Sequence, residues 1–311
     1  MNKELQNNYP LVFKTVEHLK DSAGFFEKTL SKLLESNYNF EFAERVCNTA
    51  LEMSSNKWED YIAKVDKLTE MSLTFLRLQI KLEKSGKYLY STFKEVEDHE
   101  YKLNEGEYGP DYLWGMYFSE VFWKIHHNFT NFFLEDFVKN NKTEGKVLEI
   151  PSGTGFFLGE FLLANPSWSG TGIDLSDASI SFSKKLFNVN KIPEKSYIII
   201  KKDFLEYPDT EKFDKIMCGE FLEHVEDPVG ILTKLNQLLK DDGKVFLTAA
   251  VWAAHIDHIY LYNNAEEVRN HIRKAGFLIE KELVQASFEK DEADPEKSKI
   301  PVSYAAILSK N

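Results

Sequence analysis

The residues best suited to acid–base chemistry are histidines that stand just beyond apolar, strand-like runs. His224 follows the run Phe213–Cys218, FDKIMC, and an imidazole can exchange a proton near neutral pH. We expect His224 to act as a general base, with Glu223 or Glu226 orienting its ring. The alternative is a structural role, in which the imidazole bonds the backbone at the start of a helix.

A second group of aromatic and ionisable residues follows the strand-like run that ends at Ala250. Such a loop opens at the carboxyl edge of a parallel sheet, where ligands bind in open α/β folds. We expect His127, from an earlier aromatic segment, to face the same pocket. The loop residues expected to line an acceptor pocket are Trp252, His255, His258 and Tyr260.

Part of this loop could also be interpreted as a metal site. His255, Asp257 and His258 would supply three ligands, with His224 as the fourth. Zinc-binding histidines on one helix are spaced at i and i+4, however, and the pattern H-x-D-H does not match that spacing. The sequence therefore predicts no bound metal.

The segment Lys146–Phe157, KVLEIPSGTGFF, joins an apolar run to a turn and then to an apolar, helix-like run. Strand, glycine turn and helix form the opening unit of a doubly wound nucleotide-binding fold. Gly153 and Gly155 let the backbone approach a ligand because they carry no Cβ, and the helix behind them begins with free N–H groups. A strand–turn–helix without any ligand is the alternative.

Glu149, two residues before that turn, helps to decide between two candidate ligands, a dinucleotide and a sulfonium nucleoside. A dinucleotide site carries G-x-G-x-x-G, but Leu158 stands at the third glycine position here. A carboxylate repels a pyrophosphate and suits the ammonium group of a methionine moiety. The stretch resembles motif I of class I S-adenosylmethionine (SAM)-dependent methyltransferases, acid-x-Gly-x-Gly-x-Gly, with Pro151 in place of the first glycine.

Two further acids follow predicted strands. Asp174 ends the second strand, and an acid there can accept the ribose hydroxyls of either NAD or SAM. Its alternative role is to cap the next helix. The resemblance to class I methyltransferases implies that Asp203 meets the adenine amino group and that Phe204 covers the ring. We assign Leu175, beside Asp174, to the same cofactor site.

The segment Gly219–Pro228, GEFLEHVEDP, closely resembles the corresponding segment of methyltransferases of ubiquinone and menaquinone biosynthesis. The resemblance covers roughly residues 145 to 280. It implies SAM as cofactor, S-adenosylhomocysteine as product, and Glu220 and Phe221 as cofactor-binding residues. We therefore expect an α/β fold with a Rossmann-like, seven-stranded, mostly parallel sheet and a closing antiparallel strand.

The first 140 residues carry apolar side chains at helical spacing, for example from Trp58 to Leu82. Residues 85–91 alternate as a strand does, and helices followed by such a wing resemble the N-terminal dimerisation domain of small-molecule O-methyltransferases. A helical cap with a loop is the alternative. We expect a helical cap or dimerisation domain over 1–140, a SAM-binding domain over 141–311, and a homodimer.

Composition limits the partners and the compartment. A net charge of −12 argues against a nucleic-acid partner. Cys47 and Cys218 alone give no disulfide framework, and the first residues do not resemble a signal peptide. No apolar run approaches the roughly 18 residues of a membrane span. We expect a cytoplasmic protein that contacts no membrane.

Together these patterns predict a SAM-dependent methyltransferase that O-methylates a small-molecule or natural-product acceptor. The carboxylate at a peptide C-terminus is a second acceptor, because the helical region could clasp a chain end and a carboxylate needs no base. Two alternatives come from other classes of protein. An NAD(P)-dependent oxidoreductase would favour glycine at position 158, and a non-catalytic SAM-binding regulator would need a recognition helix rich in lysine and arginine.

Overall fold

The computed structural model describes residues 3–101, 109–139, 141–286, 294 and 299–311 of the chain. Residue 140, at the predicted domain boundary, lies outside this part. No helix within these ranges combines the length and the apolarity that crossing a bilayer requires.

The part of the chain before residue 140 is helical where the structure describes it. α5 illustrates why, because it buries Tyr61, Val65 and Leu68 along one face at spacings of four and three. The strand predicted over residues 85–91 does not form, and the chain makes bends there. The helices are α1 Lys3–Asn8, α2 Pro10–Ser22, α3 Phe25–Glu35, α4 Phe40–Met53, α5 Trp58–Ser85, α6 Phe93–Val96, α7 Pro110–Phe122 and α8 Lys124–Phe132, with π-helical turns at Glu97–Tyr101 and Phe133–Val138.

Strands and helices alternate after residue 145. The strands are β1 Lys146–Glu149, β2 Ser169–Asp174, β3 Tyr197–Lys201, β4 Phe213–Cys218, β5 Leu239–Val251, β6 Phe277–Ala286 and β7 Val302–Lys310. The helices are α9 Phe156–Ala164, α10 Asp177–Val189, α11 Pro228–Leu238 and α12 Ala265–Lys274, with 3-10 turns at Glu194–Ser196, Phe204–Glu206 and Leu222–His224.

Within the described residues the strands form one seven-stranded sheet in the order β3-β2-β1-β4-β5-β7-β6. β1 to β5 pair in parallel, whereas β7 runs antiparallel to both β5 and β6. The predicted Rossmann-like sheet with a closing antiparallel strand is confirmed. β5 begins at Leu239, earlier than the sequence predicts, with an irregular register opposite residues 213–215.

One hydrophobic core joins the helical region to one face of the sheet. The ring of Phe156, at the start of α9, lies 6.0 Å from that of Phe42 and 5.9 Å from that of Tyr117. Trp114 of α7 makes an edge contact with Phe182 of α10 at 4.8 Å. The first turn of α9, which follows the glycine turn directly, is therefore packed against the helical region.

Candidate active site

The strand order reverses between β1 and β4, and this topological switch point is where open α/β sheets bind ligands. Glu149 of β1 pairs in register with Met217 of β4, so both strands end at the same edge. The turns that follow these two strands form the walls of a crevice.

The turn after β1 has the backbone conformation that its glycines were expected to supply. Gly153 has φ +48° and Gly155 has φ +71°. Apart from the adjoining residues, no atom of the described part of the chain lies within 4 Å of the position that a Cβ on Gly153 would take, so the backbone is open there. At Gly155 a Cβ would lie 2.8 Å from Ser183 of α10. The first glycine opens a surface to a ligand, and the second allows two helices to approach. Pro151 lies partly buried between β1 and this turn.

Two buried acids flank the turn. Asp174 ends β2, and its two carboxylate oxygens accept hydrogen bonds from the backbone N–H groups of Gly153 and Ser176, each at 2.8 Å. Glu149 ends β1 and is 3% exposed, and its Oε2 has no hydrogen-bond partner among the described residues. Burial raises the pKa of Glu149 well above its ordinary value, and the neighbouring Asp174 adds to the shift.

This arrangement fits a SAM molecule. An unpaired buried carboxylate oxygen beside an open glycine backbone needs a donor or a cation, and SAM carries an ammonium, a sulfonium and ribose hydroxyls. Glu149, Gly153 and Asp174 would hold these groups, and SAM would supply an electrophilic methyl group.

Three further residues predicted for the cofactor site divide into two sets. Leu175 is 51% exposed immediately after β2, and Asp203 is exposed after β3, where its Oδ1 accepts the backbone N–H of Leu205 at 2.8 Å. Phe204 is 2% exposed, and its ring packs against Phe221 in the core. The expectation that the Phe204 ring covers a ligand is therefore not supported, because the 3-10 turn directs it inward.

A pair of acids follows β4. Glu220 has φ +45° and donates its backbone N–H to Thr248 Oγ1 at 3.0 Å. Glu223 is completely buried, and burial, followed by repulsion from Glu220, raises its pKa well above the ordinary value. Phe221 lies between them, partly buried against the sheet core. Two neighbouring acids whose ionisation is disfavoured by burial therefore lie beyond β4.

His224 is held by Asp257 rather than by the predicted Glu223 or Glu226. Its Nδ1 lies 3.4 Å from Asp257 Oδ2, and 23% of its side chain is exposed. Burial alone lowers the pKa of His224, but the carboxylates of Asp257 and Glu223 raise it to about 9. The ring is therefore protonated at neutral pH, and general-base action would require this proton to leave first.

The other two histidines of the β5 loop join the same group. His255 Nδ1 lies 2.5 Å from Asp257 Oδ1, and the His258 ring stands perpendicular to that of His224 at 4.8 Å. The helical region adds two tyrosines, because Tyr88 contacts His258 and Tyr112 contacts His255. We call His224, His255, Asp257 and His258 the histidine cluster.

Two residues predicted for the acceptor pocket lie in other surroundings. The Tyr260 ring packs against Tyr262 and His271, toward α12. His127 is completely buried, its Nε2 accepts the backbone N–H of Asn39 at 3.2 Å, and its ring packs on Tyr38. The structure therefore does not support a pocket role for His127, which packs among the helices.

Trp252 lies at the end of β5, where a side chain of α5 holds the backbone. Trp252 itself is 5% exposed. Gln79 donates from Nε2 to the carbonyl of Trp252 at 3.1 Å, and its Oε1 accepts the N–H of Ala254 at 3.0 Å. Sequence reasoning missed Gln79, because a residue more than 170 positions away leaves no local signal.

Sequence reasoning also missed Glu120 of α7. Its Oε2 accepts a hydrogen bond from Thr130 Oγ1 at 2.8 Å, and burial raises its pKa to about 8. Glu120 acts electrostatically on both Glu149 and Glu220, so the helical region adds a further acid beside the crevice. An isolated acid in an aromatic helix gives no pattern that predicts this.

Comparison with known proteins agrees with this geometry. The profile of a protein family described as "Methyltransferase domain" matches residues 122–282. A ubiquinone biosynthesis O-methyltransferase of Glaesserella parasuis is 37% identical over 121 residues, which are 35% of this chain and 48% of that protein. Its counterpart from Neisseria meningitidis serogroup C is 28% identical over 159 residues, or 49% of this chain and 65% of that protein. The chain thus spans about half the length of such relatives.

A solved structure also shares the fold. The mitomycin 7-O-methyltransferase has a TM-score of 0.53 and 13% identity, and the match covers 81% of this chain and 71% of that one. At this identity the likeness concerns the fold alone.

Proposed function

This chain belongs to the methyltransferase-domain family, as a class I SAM-dependent methyltransferase, and from that premise we propose that it O-methylates a small-molecule acceptor. The observation that carries the proposal is the cradle after β1 and β2. There an open glycine backbone lies beside a buried carboxylate oxygen without a partner and a second acid bonded to the turn.

The cradle residues would act by binding and orienting the cofactor. The acids Glu149 and Asp174 favour a cationic nucleoside over a pyrophosphate, because a bound cation would stabilise their ionised forms whereas a pyrophosphate would not. When bound, SAM supplies a methyl group whose bond to sulfur breaks as the bond to the acceptor oxygen forms, while sulfur keeps the electron pair. Positioning alone can contribute several kcal/mol to such an in-line transfer.

We assign the acceptor to the side of the crevice that carries the histidine cluster. Its polar atoms come from the ends of β4 and β5, and aromatic rings from the helical region border it. An oxygen acceptor fits this mixture, because imidazoles and tyrosines can orient a hydroxyl group. The names of the curated relatives support oxygen rather than nitrogen or carbon as the methylated atom. A natural product is our proposed acceptor class.

Two alternatives receive less support. An antiparallel β7 between β5 and β6 is a feature of methyltransferase sheets and not of dinucleotide-binding ones, which disfavours the oxidoreductase. The long helix α5 carries acids as well as bases, so it is not the recognition helix rich in lysine and arginine that a SAM-binding regulator would need. A peptide carboxylate remains the second acceptor to test.

The test is a labelled-methyl transfer screen with the full chain over phenols, quinols and peptide C-terminal carboxylates, preceded by SAM titration calorimetry. We expect SAM binding and labelled product with a phenol or quinol. If only peptides gave labelled product, a peptide carboxylate would replace the small molecule as the proposed acceptor. Absence of SAM binding would overturn the proposal.

We further propose a cytoplasmic homodimer without nucleic-acid or membrane partners, in which residues 1–140 and 141–311 act as cap and SAM-binding domains. Both cysteines are free and buried, as suits a reducing compartment. Leu73 and Ile80 of α5 are 37% and 53% exposed, two helical turns apart, and offer apolar surface to a second copy. Light scattering after size-exclusion chromatography gives the oligomeric state.

A further inference from the structure

The most unusual polar group outside the cradle is the carboxylate of Glu223. It is completely buried, and neither oxygen receives a hydrogen bond from any residue that the structure describes. Its neighbour Glu220 is a second buried acid, which repels the charged form of Glu223 and lies close enough to interact with its side chain. A buried carboxylate without a donor is costly unless a cation or a proton accompanies it.

His258 presents one ring nitrogen in the form that metal ions bind. Its Nδ1 lies 3.0 Å from the carbonyl oxygen of Ala253, which can only accept, so Nδ1 carries the hydrogen. Nε2 is then left with its lone pair. Metal-binding histidines characteristically donate their other N–H to a carbonyl or carboxylate in this way.

His224 is oriented similarly. Its Nδ1 faces Asp257 Oδ2 at 3.4 Å, and its ring meets that of His258 at right angles. Nε2 would therefore be the nitrogen that binds an ion, which would displace the ring's second proton. Asp257 is occupied by His224 on one oxygen and by His255 on the other. Asp257 therefore fits the supporting role of a carboxylate that holds a ligand histidine.

From these contacts we propose that Glu223, His224 and His258 bind one divalent transition-metal ion such as Zn²⁺. One ligand atom from each of the three lies within 4.8 Å of those from the other two. Two imidazoles and a carboxylate form a donor set that suits zinc and its neighbours, whereas magnesium and calcium prefer oxygen alone. The expectation of no metal rested on the spacing of His255, Asp257 and His258, with His224 as a fourth ligand, and did not consider Glu223 as a ligand.

Three protein ligands leave a fourth position of a tetrahedral site for an oxygen atom. If the proposed function is correct, on which this step rests, that oxygen belongs to the acceptor. The ion would favour loss of the hydroxyl proton to solvent before methylation, as metal ions do for bound water. This would explain how an oxygen nucleophile forms in a site with several acids.

The competing explanation for Glu223 is a proton shared with Glu220. The test uses the full, tag-free chain, stripped with EDTA and titrated with Co²⁺ by visible absorption and with Zn²⁺ by calorimetry. We expect one ion per chain for the wild type. Glu223→Gln and His258→Gln should lose this binding, Asp257→Asn should weaken it by about 10–100-fold, and His18→Gln, a partly exposed histidine of α2, should bind normally.

Thermal melting establishes that each variant is folded. If His258→Gln does not fold, the shift of the imidazole nitrogen resonances of the wild type on Zn²⁺ addition reports ligation directly. Absence of Co²⁺ bands in the wild type, or unchanged binding in both ligand variants, would overturn the proposal in favour of a shared proton. SAM titration of the same metal-free sample tests the proposed function separately.

Discussion

Gln79 of α5 holds the backbone on both sides of Ala253, donating to the carbonyl of Trp252 at 3.1 Å and accepting the N–H of Ala254 at 3.0 Å. Gln79 is 3% exposed, so both backbone groups depend on it in a buried setting. One side chain of the helical region thereby fixes the start of the loop that carries the histidine cluster.

Replacing this side chain should loosen the loop. Gln79→Leu leaves a buried carbonyl and a buried N–H without partners, and each costs roughly 1–3 kcal/mol. We expect the free energy of unfolding, measured in urea, to fall by at least about 2 kcal/mol. Gln237→Leu, at an exposed position of α11, is the control and should change little.

Asp174 should be required for cofactor binding. Asp174→Ala removes the carboxylate that faces the turn, and we expect SAM affinity, measured by calorimetry, to fall by about 100-fold or more, near 3 kcal/mol. Asp177→Ala, three residues later at an exposed position, should bind SAM normally. Equal affinities for wild type and Asp174→Ala would remove Asp174 from the site.

Gly155 should tolerate no side chain. Its φ of +71° is strained for alanine, and the added Cβ would lie 2.8 Å from Ser183. We expect Gly155→Ala to lower the free energy of unfolding by roughly 2–4 kcal/mol. Gly24→Ala, with φ −59° and open space around it, should be neutral or slightly stabilising. Similar unfolding curves for both variants would contradict the tight approach of α10.

Glu120 should make stability depend on pH. Burial raises its pKa from 4.5 to about 8, so between these values the folded state keeps a proton that the unfolded state releases. The contribution of Glu120 to the free energy of unfolding is complete below about pH 4.5, and it declines by about 1.4 kcal/mol per pH unit as the pH rises toward 8.

Glu120→Gln is neutral at every pH and removes this slope. Its melting temperature should therefore increasingly exceed that of the wild type between about pH 5.5 and pH 8. Glu135→Gln, at an exposed position, serves as the control. A difference in melting temperature between Glu120→Gln and the wild type that does not change with pH would show that the pKa of Glu120 is not raised.

The sequence predicted the parts of the site that are local along the chain. The turn of Gly153 and Gly155 comes soon after β1, and Asp174 ends β2, so the strand pattern of the sequence pointed to both. The structure buries Phe204 against Phe221 and His127 among the helices. The sequence could not predict these surroundings, because turn geometry and helix phase decide the direction of each side chain.

Side-chain contacts between segments that are far apart in the chain could not be predicted from the sequence pattern. The pairing of His224 with Asp257 joins the ends of two strands, and only the sheet order brings them together. Glu223 looked ordinary beside the more obvious histidine, since burial without a donor is a property of the folded chain. The spacing rule considers residues along one segment, so it does not detect the set of Glu223, His224 and His258 on which the metal proposal rests.

The packing of Phe156 against Phe42 and Tyr117 bears on how the protein can be dissected. A fragment starting at residue 141 would present these aromatic contacts of α9 to water, next to the glycine turn. Such a fragment should aggregate and bind SAM weakly, even though it contains every motif residue from Glu149 onward.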